Sequence, residues 1–261
     1  MVYFVADAHL GGECPASEEA KERDLVSLLA HLEGRASVLY VVGDLFDFWF
    51  EYSTVAPYRN FATLAALRSL SCSGTRIHFL GGNHDYWAGP AFETITGGIV
   101  QRQPVVETQF GRRLFIAHGD GLPAGDLRYR ALKAVIRSRP AIAGFGLLHP
   151  TIGAAVARWA SGLSDITEER IQRALPPMRA FLEAKLREGF DAAVVGHVHR
   201  PVMWTTDRGT AVIVGDWMRG RSVVELGSEG FRMLRWTEGR LQPAADREQG
   251  ATDTPAPTSE P

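Results

Sequence analysis

Cysteine is nearly absent: Cys14 and Cys72 are the two in 261 residues. Neither lies in a CxxC pair, which argues against a zinc or dithiol redox motif; two free thiols in a reducing compartment are expected. Long hydrophobic runs are missing too. No apolar stretch approaches the roughly 20 residues that a membrane-spanning helix needs. There is no excess of charge of one sign, since the formal net charge is −2. A global basic field of the kind that gathers nucleic acid is therefore absent, and no nucleic-acid partner is expected. The opening MVYFVADAHLGG has no basic n-region and runs straight into charged residues. A secretory leader is not expected, and the expected location is the cytoplasm. No internal repeat breaks the chain into units.

What is present is an ordinary globular composition, with 45% hydrophobic and 22% charged residues. A chain of this length can bury a core without covalent staples. Five short apolar runs share one design. Val2 to Ala6 ends at Asp7, and Val38 to Val42 runs into Gly43-Asp44. Ile77 to Leu80 runs into Gly81-Gly82-Asn83-His84, and Leu114 to Ala117 into His118-Gly119-Asp120. Ala192 to Val195 runs into Gly196-His197-Val198-His199. Each reads as a buried strand that delivers polar residues at its carboxyl end.

Helical periodicity lies between several of these runs. It is expected over Glu19 to Leu32, over Pro57 to Leu70, and through Met178, Phe181, Leu182 and Leu186 up to a stop at Gly189. Alternating strands and helices predict a largely parallel α/β core, with the ligand site beyond the carboxyl ends of the strands. Thr210 to Val214, Ser222 to Leu226 and Phe231 to Trp236 read as further strands between glycine turns. From Pro243 to Pro261 the chain is rich in Pro, Thr, Ala and acid, and 243–261 is expected to be a disordered tail.

The loops supply Asp7-x-His9, Gly43-Asp44-x-x-Asp47, Gly82-Asn83-His84-Asp85, His118-Gly119-Asp120 and Gly196-His197-Val198-His199. Carboxylate, imidazole and carboxamide together suit borderline divalent metals such as Mn, Fe, Co, Ni or Zn. One such fragment would be weak evidence, since strands often end in polar residues. Five of them gathered at one sheet edge point to a metal centre.

This set of motifs resembles the calcineurin-like metallophosphoesterases over roughly Val2 to Pro201. The resemblance implies a four-layer αββα sandwich built from two sheets flanked by helices. It implies one metal held by Asp7, His9, Asp44 and His199, and a second held by Asp44, Asn83, His118 and His197, with Asp44 bridging. Such a pair grips the attacking and leaving oxygens of a phosphoryl group. His84 is expected to donate to the phosphate or to the leaving group, with Asp47 orienting its other nitrogen. The domain is expected to span 1–242.

Between the fourth and fifth motifs, Asp126 to Ser164 is apolar and basic. It carries Arg128, Arg130, Lys133, Arg137, Arg139 and Arg158 against a single acid, Asp126. That composition suits an anionic amphiphile or a membrane surface, and equally a lid helix packed on the core with solvated arginines. DAHLGG, LYVVGDLFDFW, Asp126 with Tyr129, GHVHRP and Gly215-Asp216-Trp217 make the chain similar to the UDP-2,3-diacylglucosamine diphosphatases of lipid A synthesis. The resemblance implies a helical cap over about 126–176 that holds acyl chains, and hydrolysis to UMP and 2,3-diacylglucosamine 1-phosphate. It implies two divalent ions, with Mn²⁺ the expected species, and peripheral contact with the cytoplasmic face of the inner membrane. Asn83, His84, His197, Asp126, Tyr129, Arg130, Arg137, Ser161 and Ser164 are the expected substrate contacts. His84 departs from the best-known branch, which carries Arg there, and agrees with the general phosphoesterase pattern. The rivals are another phosphodiesterase or nucleotide diphosphatase, a protein phosphatase, and a non-enzymatic scaffold. A scaffold would be expected to have lost metal ligands, and none of the seven is missing.

Overall fold

Each of the five apolar runs is a strand, and each is apolar on both sides because both of its faces are covered. The computed structural model describes residues 1–12, 14–52, 60–122, 127–153, 155 and 167–244. Chain order is β1 (Val2–Val5), α1 (Pro15–Leu32), β2 (Val38–Val41), α2 (Phe61–Cys72), β3 (Arg76–Leu80), α3 (Pro90–Thr96), β4 (Ile99–Gln101), β5 (Val105–Gln109) and β6 (Arg112–Ala117). Then come α4 (Leu127–Ile136), α5 (Arg139–Gly146), α6 (Glu168–Arg187), β7 (Ala192–Val195), β8 (Val202–Thr206), β9 (Gly209–Ile213), β10 (Ser222–Gly227), β11 (Gly230–Thr237) and β12 (Arg240–Pro243).

A seven-stranded sheet has the order β12-β11-β10-β1-β2-β3-β4, and a five-stranded sheet the order β5-β6-β7-β9-β8. Strands β1 to β4 are mutually parallel, as are β6, β7 and β9. The sheets are mixed rather than largely parallel, because β10, β11 and β12 add an antiparallel meander to β1, and β5 and β8 pair antiparallel at the edges.

Strand alternation builds the layers. Val2, Phe4, Val38 and Tyr40 point at Leu114, Ile116, Ala192 and Val194 between the sheets. Tyr3, Val5, Leu39 and Val41 point the other way, against Leu25, Leu28 and Leu29 of α1 and Leu64 and Leu67 of α2. Met178, Leu182 and Leu186 of α6 cover the outer face of the second sheet. The result is four layers, αββα, as the motifs predict. Each fully buried Leu, Val or Phe contributes about 1.5–3 kcal/mol, so these interleaved faces dominate stability.

Helix α1 starts at Pro15, earlier than its apolar periodicity, because proline suits the first turn. Helix α2 covers Phe61–Cys72 and follows Asn60 in the left-handed region, while 57–59 of its expected start lie outside the described residues. Helix α6 runs unbroken through Pro176 and Pro177, so the expected cap boundary near 176 falls inside one helix. Its C-terminal half is buried on the core. Asp126, Ser161 and Ser164 lie outside the described residues, as do 245–261 of the expected tail.

Candidate metal centre

All five polar loops meet at one edge of the sandwich, three from the first sheet and two from the second. Their backbone is unusual. Asp7 (φ 53°), His9 (φ 43°), Asp44 (φ 51°), His197 (φ 67°) and His199 (φ 59°) are all left-handed. Each such residue costs about 1–2 kcal/mol, so the surrounding bonds must hold it in place. Asp7 N–H donates to the Gly43 carbonyl at 3.1 Å, and His9 N–H to the Asp44 carbonyl at 2.9 Å. His197 N–H donates to Asp7 Oδ2 at 2.8 Å, which ties the fifth loop to the first. The loops approach so closely that a Cβ at Gly82 would collide with the Asp44 carboxylate, and one at Gly43 with the His118 ring.

Two side chains that the sequence reading left without a role fasten this arrangement. Asp85 is fully buried and accepts from the N–H groups of Gly82 (2.8 Å), Leu45 (2.7 Å), Asp44 (3.2 Å) and Phe46 (3.2 Å). It stitches the second loop to the third; the signal for it was the last residue of Gly82-Asn83-His84-Asp85. Lys21 of α1 is also fully buried, and its ammonium donates to the His9 carbonyl at 2.9 Å. Trp217 closes the circle, its indole donating to the Lys21 carbonyl at 3.2 Å and its N–H to Ala6 and Asp7 carbonyls. No local pattern in α1 marks Lys21, since its partner is set by the fold.

The donors form overlapping groups. Asp7, His9 and His199 each bring a ligand atom within 4.8 Å of the others, and so do Asp44, His118 and His197. His9, Asp44 and His84 make a third such group. His118 donates through Nδ1 to the Val42 carbonyl at 2.9 Å. That leaves Nε2 facing Asp44 Oδ2 and Asn83 Oδ1, both at 3.2 Å. Three lone pairs converging without a cation would repel once the imidazole is neutral. Asp7 Oδ1 and His9 Nε2 are buried and find no hydrogen-bond partner among the described residues. An orphaned buried polar atom costs about 1–3 kcal/mol, and His199 Nε2 stands only 3.7 Å from Asp7 Oδ1. Orphaned oxygen and nitrogen atoms of this mixture are what a divalent cation requires, so the residues fit one.

Electrostatics point the same way. Burial pushes the Asp7 carboxyl well above its ordinary range, and the Asp44 charge adds to it. Burial works against Asp44 as well, but the charges of His118, His84 and His9 hold it well below that range. Burial would also lower His118, yet Asp44, Asp7 and Asp120 raise it to about 10. Burial and the neighbouring His118 charge lower His197 to about 4, and burial with His9 lowers His199 to about 3. Those two imidazoles are neutral at pH 7, the form that ligates.

His84 donates through Nδ1 to the Asp47 carbonyl at 2.9 Å, with the Asp47 carboxylate at 3.5 Å. The backbone oxygen is thus the nearer orienting group. Burial opposes the charge on His84, but Asp44 and Asp47 outweigh it and raise the ring to about 9. Arg137 donates to the Gly82 carbonyl at 2.8 Å and to Asp120 Oδ2 at 3.0 Å, and its guanidinium lies 3.8 Å over the Tyr86 ring. Lys133 reaches the same Asp120 oxygen at 2.7 Å. Helix α4 is thereby clamped beside Asn83. Tyr129 and Arg130 are placed on α4 by their backbone.

Known proteins resemble the chain over most of its length. A protein from Chromobacterium violaceum named UDP-2,3-diacylglucosamine hydrolase is 30% identical over 240 residues, 89% of this chain and 98% of its own. One of the same name from Nitrosococcus oceani is 30% identical over 254 residues, 92% of this chain and 98% of its own. The solved structure of Yfce, a phosphoesterase from E. coli, aligns with a TM-score of 0.46 at 13% identity over 92% of this chain and 95% of its own, too distant to carry an argument. Residues 1–201 match the calcineurin-like phosphoesterase model, and with it the chain belongs to the calcineurin-like phosphoesterase family, whose members work with divalent metal ions.

Proposed function

We propose that this protein hydrolyses the diphosphate of UDP-2,3-diacylglucosamine to UMP and 2,3-diacylglucosamine 1-phosphate. The observation that carries the reading is a buried donor cluster placed beside an apolar helical segment that the core does not cover. In that segment Val135 is 64% exposed, Leu147 88% and Ile152 55%. Apolar exposure of this kind marks a surface that meets lipid or a partner. Relatives of matching length named for this hydrolysis support the same substrate.

Asp7, His9, Asp44 and His199 would hold one divalent ion, and Asp44, Asn83, His118 and His197 a second, with Mn²⁺ the proposed species. When bound, such ions lower the pKa of water and draw charge from phosphoryl oxygens. The chain supplies the rest. Asn83 contributes a neutral oxygen, which limits the negative charge that an anionic substrate must approach. His84, anchored through Nδ1 on Asp47, stands where it can hydrogen-bond the leaving phosphate. Water adds to the α-phosphorus, the bond to the bridging oxygen breaks, and the sugar phosphate leaves. Arg137 and Lys133 set the distance between α4 and the centre.

Among the described residues no helix is long and apolar enough to cross a membrane. The exposed Val135 and Ile136 of α4 and Leu147 and Ile152 after α5 support contact with a bilayer surface, and we place the protein at the cytoplasmic face of the inner membrane, where a diacylated substrate would reside. The test is UMP release from UDP-2,3-diacylglucosamine with Mn²⁺ and with chelator, run beside bis-p-nitrophenyl phosphate. Metal-dependent UMP release far above generic hydrolysis is expected. Cleavage of the generic diester alone would keep the metallophosphoesterase and discard the lipid substrate.

A further inference from the structure

The surroundings of the centre differ on its two sides. Phe48 and Phe50, which follow Asp47 in the chain, form an aromatic cluster with Trp87 and Phe145. The Phe50 and Phe145 rings are 4.8 Å apart, and Trp87 stacks on Phe145 at 6.3 Å. This cluster joins α5 to the loop after β2. On the His118 side lies a cavity of 340 Å³, whose wall includes Gln101, Arg102, Gln103, Lys133, Arg137 and His118.

We infer that this cavity is a nucleoside subsite, which takes the pyrimidine base and ribose of the substrate's nucleotide end. The inference rests on the proposed UDP-linked substrate and assigns its polar end. A substrate cleaved at its diphosphate has ends of opposite polarity, and the two surfaces beside the centre differ in the same way. The aromatic side matches acyl chains. The cavity on the other side is at the small end for ligand pockets, enough for a compact polar group and too small for two long chains.

Its chemistry matches as well. Asp120 is one carboxylate facing two cations, Lys133 at 2.7 Å and Arg137 at 3.0 Å. With Arg102 added, the cavity wall keeps a positive balance, which favours a phosphorylated ligand. Gln101 and Gln103 each carry a donor and an acceptor on one planar carboxamide. An imide edge such as that of uracil presents the complementary pair. Gln101 ends β4 and Gln103 lies in the connection to β5, whereas the donor loops follow other strands. The subsite is therefore separable from the centre by mutation.

Photolabelling tests this on the Mn²⁺-loaded full chain with 5-azido-UMP. Label is expected in peptides covering 99–104 or 133–137, and excess UMP should remove it. Label in 46–50 or 139–146, or label that UMP does not displace, overturns the subsite. Gln103→Ala should weaken UMP binding about tenfold, the worth of one good hydrogen bond, without moving the affinity for inorganic phosphate. Equal affinity of both proteins for UMP also overturns it. UMP release from UDP-2,3-diacylglucosamine by the unmutated protein separates the two claims. Release with label on the aromatic side sinks the subsite alone. No release, with UMP-protected label at 99–104, keeps a nucleotide subsite and moves the substrate to another nucleotide diphosphate.

Discussion

The donor loops and the helical segment beside them are built on opposite principles. In the loops the backbone of one is tied to a side chain or backbone of another: Asp85 alone accepts four N–H groups, and His197 N–H holds Asp7. In the helical segment Val135, Ile136, Leu147 and Ile152 face outward, and among the described residues α4 is fastened through the Asp120 clamp and α5 through the Phe145 ring. One region is over-determined, and the other rests on a few contacts. A centre that must present ligand atoms at fixed separations needs the first design, and a surface that must admit a large, variable lipid needs the second.

The contrast can be broken first at its most rigid point. Asp44→Ala removes the carboxylate shared by two of the donor groups, and hydrolysis should fall at least about 10³-fold, with metal content reduced when measured by plasma emission. A variant with full turnover would sink the two-metal reading. Asp85→Ala leaves four buried N–H groups without their acceptor, so unfolding free energy in urea should drop by about 3 kcal/mol or more. If that variant is as stable as the parent, the loops do not depend on this anchor.

The looser region should respond in kind rather than in size. Arg137→Ala opens the clamp at Gly82 and Asp120. It is expected to raise KM for the lipid substrate about tenfold and to speed amide exchange in 127–146. Unaltered exchange there would show that α4 is held by other contacts. Leu147→Ser, at a side chain 88% exposed, should weaken binding to anionic vesicles a few-fold and leave the melting temperature in place. A shift in melting temperature without loss of vesicle binding would make Leu147 a packing residue.

The smallest effect is proton release. In chelator-treated protein His118, raised to about 10, is charged at pH 7, while His197 at about 4 and His199 at about 3 are not. A ligating imidazole must be neutral and a ligating carboxyl ionised, so metal binding should displace the proton on His118, beside any that the raised Asp7 carboxyl carries. Affinity should therefore rise with pH until about 10 and then level off. Titration calorimetry in buffers of different ionisation enthalpy reads this directly, and binding without proton release would contradict it.

Much of this was legible from the sequence because burial writes itself into local pattern. The strands β1, β2 and β7, and the C-terminal parts of β3 and β6, are covered on both faces, so each reads as a mostly apolar run ending at its motif. Strands β4, β5, β8 and β12 were missed. They are short or half-exposed edge elements, so no face buried along its whole length writes an apolar run into them, even though β5, β8 and β12 pair with the adjacent strand through short turns. A different reason hid Lys21 and the Asp120 clamp, whose partners His9 and Arg137 are brought to them only by the fold. The donor residues were readable because they sit at strand ends. Their left-handed backbone was not, since nothing in Asp7-x-His9 distinguishes it from an ordinary strand-to-loop exit.

That backbone also restricts inheritance at the centre. Asp, Asn and His are the non-glycine residues that tolerate the left-handed region best. At Asp7, His9, Asp44, His197 and His199 a replacement must satisfy the main chain before it satisfies a metal. Glutamate would keep the charge of Asp7, and glutamine a neutral donor in place of His9, yet neither shares their conformational ease. The alphabet of this centre is therefore doubly chosen. Its routes of change run mainly among Asp, Asn and His, so the metal preference can be retuned only in small chemical steps.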